Sequence, residues 1–111
     1  SQLCQVMHNR LNASAVIAEH FTVSGDADSP VHLLTLKSQR TNKQSLINDV
    51  IESCLQERKA VSRVAYLEPG DVARPMACLR ITTSVYLSED AIDDLVESLE
   101  SACRIRLAVT S

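Results

Sequence analysis

The chain has 111 residues, 45% of them hydrophobic and 23% charged, with 11 Lys and Arg against 14 Asp and Glu for a formal net charge of −3. This is the length of one domain (1–111) and a composition too apolar for a disordered segment. The acid excess and the lack of a basic tract argue against a nucleic-acid partner, and no run approaches the roughly 20 apolar residues of a bilayer span.

The opening stretch, SQLCQVMHNRL, carries Leu3, Val6, Met7 and Leu11 at helical spacing, which predicts a helix over about residues 2–19. It begins without methionine and without a helix start signal. The expectation is therefore that residues 1–19 are the end of an interdomain helix and that the chain is a fragment of a longer protein. HFTVSGDADSP, with Gly25, two aspartates and Pro30, reads as a loop by composition. VHLLTLK, residues 31–37, is a short apolar run bounded by turn residues and predicts a buried strand.

The period then changes. Leu46, Ile47, Val50, Ile51, Cys54 and Leu55 mark one face of a helix, with Thr41 and Gln44 spaced as a capping box. Val61 to Leu67 is strand-like and closes at Pro69-Gly70. In CLRITTSVYL, Leu79, Ile81 and Thr83 alternate with Cys78, Arg80 and Thr82, so the two sets face opposite sides of a strand. Ser88 then caps a helix whose first turn holds Glu89 and Asp90, and whose apolar stripe is Ala91, Ile92, Leu95, Val96, Leu99 and Cys103.

The order helix, strand, helix, strand, strand, helix predicts an α+β fold. It is a two-layer sandwich, a small mostly antiparallel sheet covered by helices on one face. Cys4, Cys54, Cys78 and Cys103 are far apart, as are His8, His20 and His32, so no zinc motif forms and no metal is expected. The four cysteines read as free thiols, with Cys54 and Cys103 on apolar helix faces. The tripeptide Asn12-Ala13-Ser14 matches a glycosylation sequon, but it lies within the first predicted helix. Neither glycine opens a helix, which excludes a phosphate-cradling loop of the P-loop or Rossmann kind.

Taken together, SPVHLLTL, the amphipathic helix, AYLEPGDVARP and CLRITTSVYLSEDAIDDLVESLESA resemble the C-terminal small domain of the α-oxoamine synthases, fold-type I pyridoxal-phosphate enzymes that condense an amino acid with an acyl-CoA. The likeness covers nearly the whole chain. Ser29-Pro30 matches the loop end before the family's first strand, and Cys78-Leu79-Arg80 stands where catalytic members have Arg-Leu-Arg. Within the family, Tyr66-Leu67-Glu68 resembles the first long-chain-base subunit of serine palmitoyltransferase. Departures from the catalytic members agree with this branch: Val85-Tyr86-Leu87 replaces Ala-His-Thr, and Cys78 replaces the first arginine.

The resemblance implies a non-catalytic partner subunit, at the cytosolic face of the endoplasmic reticulum. Its partners would be the catalytic second subunit and the N-terminal remainder of its own chain, and this segment would make no membrane contact. Pyridoxal phosphate would belong to the parent complex, with no catalytic or cofactor-binding residue in this chain. Arg80 is the one candidate site residue, at the position that holds the substrate carboxylate in catalytic relatives. A guanidinium suits that role because its planar fork pairs two carboxylate oxygens at once. The plainer role for Arg80 is a strand arginine that is solvated or paired with an acid of the same domain. Two further functions stay open: the small domain of a catalytic synthase, and a free-standing ferredoxin-like regulatory or binding module.

Overall fold

The computed structural model describes residues 2–37, 43–56, 65–69, 78–83 and 88–107. Thr41, the 61–64 and 84–87 parts of the two predicted strands and Gly70 lie outside them. The described chain runs α1 (Gln2–Ala13), α2 (Ala15–His20), β1 (Phe21–Ser24), β2 (Val31–Leu36), α3 (Lys43–Gln56), β3 (Ala65–Pro69), β4 (Cys78–Thr83) and α4 (Glu89–Ala102), ending in a π turn at Cys103–Leu107.

The helix expected over 2–19 is two helices. Ser14 breaks it with an extended backbone (φ −80°, ψ 114°) and becomes the N-cap of α2, its Oγ accepting from the Ile17 amide at 3.2 Å. A serine hydroxyl competes with helical carbonyls for nearby amides, so a mid-helix serine readily becomes a start signal. The second difference lies in HFTVSGDADSP, read as loop. Its first part is strand β1, antiparallel to β2, with Phe21 opposite Leu36 and Ser24 opposite Leu33. Gly25 then turns the chain at φ +125°, a conformation L side chains rarely adopt. The turn is finished by Ser29, whose amide donates to the Asp26 carbonyl at 3.0 Å and whose Oγ accepts from the Val31 amide at 3.1 Å.

The sheet therefore has four strands in the order β1-β2-β4-β3, every neighbouring pair antiparallel. Because β2 and β3 both run antiparallel to β4, they are parallel to each other, and α3 is the crossover between them. This is a split β-α-β unit with a hairpin strand added at one edge.

Alternation decides which side is covered. Leu34, Leu36, Leu79 and Ile81 are almost wholly buried, together with Phe21. They meet Met7 and Leu11 from α1, Ile17 from α2, Ile47 and Val50 from α3, and Ile92, Leu95 and Leu99 from α4. Each such side chain contributes about 1.5–3 kcal/mol relative to exposure, so this single helix-covered face is where the fold's stability lies. The α+β two-layer sandwich is what the helix stripes and strand alternation predict. The α3 stripe holds for Leu46, Ile47, Val50 and Cys54, which are buried, and Ile51, which is partly so. The α4 stripe is buried from Ala91 to Cys103. The π turn is tied back to α3 by Arg106, whose Nε donates to Ser53 Oγ at 2.9 Å, and Ile105 beside it is 60% exposed.

Candidate functional site

Strand β4 occupies the middle of the sheet and offers Arg80 on the side without helices. Arg80 is exposed while its neighbours Leu79 and Ile81 are fully buried, as the alternation in the sequence requires. The ladders place one residue from each strand in a row across the sheet: Ser24, Leu33, Arg80 and Glu68. An arginine in this row has an aliphatic partner position on one side and an acid position on the other. The arrangement serves two chemistries, a cation presented to an external carboxylate or phosphate, and an opposite-charge cross-strand pair of the kind ladders favour. Cys78, two residues away and on the same side of the alternation as Arg80, is nevertheless buried.

All four cysteines are buried and none is in a disulfide, in line with the reading of Cys54 and Cys103 as core thiols. Burial, reinforced by Glu100, pushes the Cys103 thiol up to about 12, with Arg104 pulling weakly the other way. Such a sulfur stays protonated and unreactive at neutral pH. Asn12 lies in the last turn of α1 with its Nδ2 donating to the His8 carbonyl at 2.8 Å, and the sequon, expected within one helix, instead spans the break at Ser14.

Among the described residues, neither Lys37 nor the N-terminus of α4 is arranged to hold pyridoxal phosphate. Lys37 at the end of β2 has its amine donating to the Ala18 carbonyl at 2.7 Å. The N-terminus of α4, where an anion would gain from the helix dipole, is capped by Ser88 and carries Glu89 and Asp90 in its first turn, which repel a phosphate. No step of pyridoxal chemistry is assigned to these residues.

Sequence reasoning treated the histidines as dispersed, and the fold brings two of them together. His8 on α1 and His32 on β2 have ring centroids 5.5 Å apart with planes inclined at 42°. His32 is wholly buried, and neither of its ring nitrogens has a hydrogen-bond partner; His8 Nδ1 and the Thr83 hydroxyl are buried without partners too. Burial first, and the charge of His8 second, hold His32 below the usual histidine range. The Asp26 backbone pulls the other way without completing a hydrogen bond to the ring. The signal was present in VHLLTL, where His32 alternates in phase with Leu34 and Leu36 and so must point inward. Among the described residues no group of three or more His, Cys, Asp or Glu side chains could hold a metal ion, and no helix is long and apolar enough to cross a membrane.

No protein-family model matches the chain, and no curated protein matches it.

Proposed function

We propose that this chain is the C-terminal small domain of an α-oxoamine synthase family protein, of the kind represented by the first long-chain-base subunit of serine palmitoyltransferase. In this reading it supports, as a non-catalytic partner, the condensation of serine with palmitoyl-CoA to 3-ketosphinganine in a complex at the endoplasmic reticulum. Pyridoxal phosphate is then bound by the rest of the complex. The reading is supported by the order of segments in the sequence. The observation that carries it is Arg80, an exposed arginine at mid-strand on the helix-free side of the sheet, where a second domain or subunit would approach.

The test is Arg80→Ala in the full-length protein assembled with its catalytic partner. If Arg80 holds the serine carboxylate, the Michaelis constant for serine rises by an amount corresponding to about 1.5–3 kcal/mol, the worth of a charged hydrogen bond. Unchanged serine kinetics in a folded complex assign Arg80 a structural role, for which the register position of Glu68 is the favourable feature. Failure of the full-length chain to assemble with a catalytic subunit overturns the reading as a whole.

A second reading, a free-standing ferredoxin-like binding module, is favoured by one observation. Strands β2, β4 and β3 with helices α3 and α4 are the split β-α-β arrangement on which such modules are built. A chain of this kind would work without a partner subunit.

A further inference from the structure

Helix α1 meets the sheet where the wholly buried His32 ring faces the half-buried ring of His8. His32 is sealed on its loop side by Gly25, where even a single added Cβ would stand 2.9 Å from His32 Cδ2 and 2.8 Å from the Val31 carbonyl oxygen. Towards the centre of the sheet, β4 places Ile81 opposite His32 in register, with the unpartnered Thr83 hydroxyl further along the same strand. The remaining side is α1, which brings His8. We propose that His8 and His32 form an acid-sensitive latch, holding α1 on the sheet while His32 is neutral and loosening it when His32 gains a proton.

The charges around the pair offer no compensation for that proton. On α1, Arg10 is turned to α4, with its Nε 2.7 Å from Asp93 and a terminal nitrogen 3.9 Å from Glu89, and Cys4 is a buried thiol. On the β1–β2 loop, Asp28 accepts from the Gln5 amide at 3.0 Å, and Asp26 acts on His32 through its backbone. On β4, Arg80 belongs to the opposite face. Among the described residues, the side-chain charge that bears on His32 is that of His8, of like sign once protonated. A charged ring at this seam therefore has to reach water. The loop side is closed by backbone, so the way out is displacement of α1. The polar ties that hold α1, Gln5 to Asp28 and Arg10 to Asp93, are exposed and weak by nature.

The direction follows from linkage. A histidine held below its ordinary value binds fewer protons folded than unfolded. Its contribution is fully present above about pH 6.5 and is lost as pH falls from there through the lower folded value. Each proton taken up on opening changes the opening equilibrium by up to about tenfold per pH unit.

The experiment is a titration of the 111-residue chain between about pH 7.5 and pH 5, recording histidine ring resonances and amide exchange corrected for intrinsic rates. The expected result is a His32 titration below about 6.5. Alongside it, α1 protection falls by up to about tenfold per pH unit and α4 protection falls less. His32→Leu, which keeps the site filled and apolar, should abolish the acid-dependent part. His32 titrating at or above about 6.5, α1 and α4 losing protection in parallel, or an undiminished acid response in His32→Leu would each overturn the latch. If His32→Leu does not fold, the ring titration and the α1-to-α4 comparison in the unaltered chain still decide.

Discussion

Leu33 and Arg80 stand directly opposite each other in the β2–β4 ladder, an aliphatic and a cationic residue on the side of the sheet that the helices leave uncovered. Their neighbours in the same two strands, Leu34 and Leu79, are paired in the same way on the covered side and are fully buried. One residue step thus separates the core of the domain from its candidate interface.

Arg80→Ala should therefore leave folding almost intact. No core volume is removed, and an exposed strand position moves stability by less than about 1 kcal/mol. Leu79→Ala, by contrast, opens a cavity in the packed face and should cost about 2–5 kcal/mol. Urea unfolding of the two variants provides the comparison. Equal losses would mean that Arg80 is part of the core and that the assignment of the two sheet faces is wrong.

The thiols give a second prediction. With four buried cysteines and the Cys103 sulfur raised to about 12, the native chain should react slowly with a thiol reagent at about pH 8 and yield all four thiols once denatured without reductant. The linkage sign for Cys103 is opposite to that of His32. Its folded value lies above its ordinary 9.0, so its contribution is complete below pH 9.0 and is lost as pH rises towards 12. Rapid native labelling at Cys103 would show that the α4 end and the π turn open easily.

Gly25 supplies the third. Gly25→Ala places a Cβ at φ +125° and into contact with the Val31 carbonyl and the His32 ring, two penalties at one position. Strained backbone of this kind costs on the order of 1–3 kcal/mol. The variant should lower the urea midpoint with little change in slope. A neutral result would mean that the β1–β2 turn relaxes freely, leaving His32 a second way out.

The parts of the fold legible in the sequence are those with long periods. Helices α3 and α4 show several apolar turns each, and the VHLLTL and CLRITT strands show clean alternation, so their buried faces follow from spacing alone. Strand β1 was hidden because Phe21–Ser24 has one large apolar residue, and its pairing depends on a hairpin whose turn residues dominate the local composition. The break at Ser14 was hidden because Leu11, Ala15 and Ala18 keep helical spacing across it. Arg80 was visible as a polar residue in an alternating strand. The histidine pair was not, because residues 8 and 32 meet only after α1 has packed on the sheet.

Ser14 allows the sharpest test of how the two helical halves of the N-terminus are held. Its Oγ accepts from the Ile17 amide at 3.2 Å and donates to Glu100 Oε2 at 2.6 Å, so one buried hydroxyl both starts α2 and fastens it to α4. Ser88 is the internal control. It is the N-cap of α4, accepting from the Ala91 amide at 3.1 Å, but it is exposed. Ser88→Ala should cost about 1 kcal/mol, the ordinary worth of a cap. Ser14→Ala loses a cap of the same kind and also leaves Glu100 without its hydroxyl donor in a part-buried position, so it should cost about 1–3 kcal/mol more. Ser14→Thr, which keeps the hydroxyl, should recover most of the difference. In a double-mutant cycle with Glu100→Ala, the Ser14→Ala loss should shrink, because the two changes remove the same bond. Additive losses in that cycle would show that Ser14 acts on α2 alone and that α4 is held to the N-terminal helices by apolar packing.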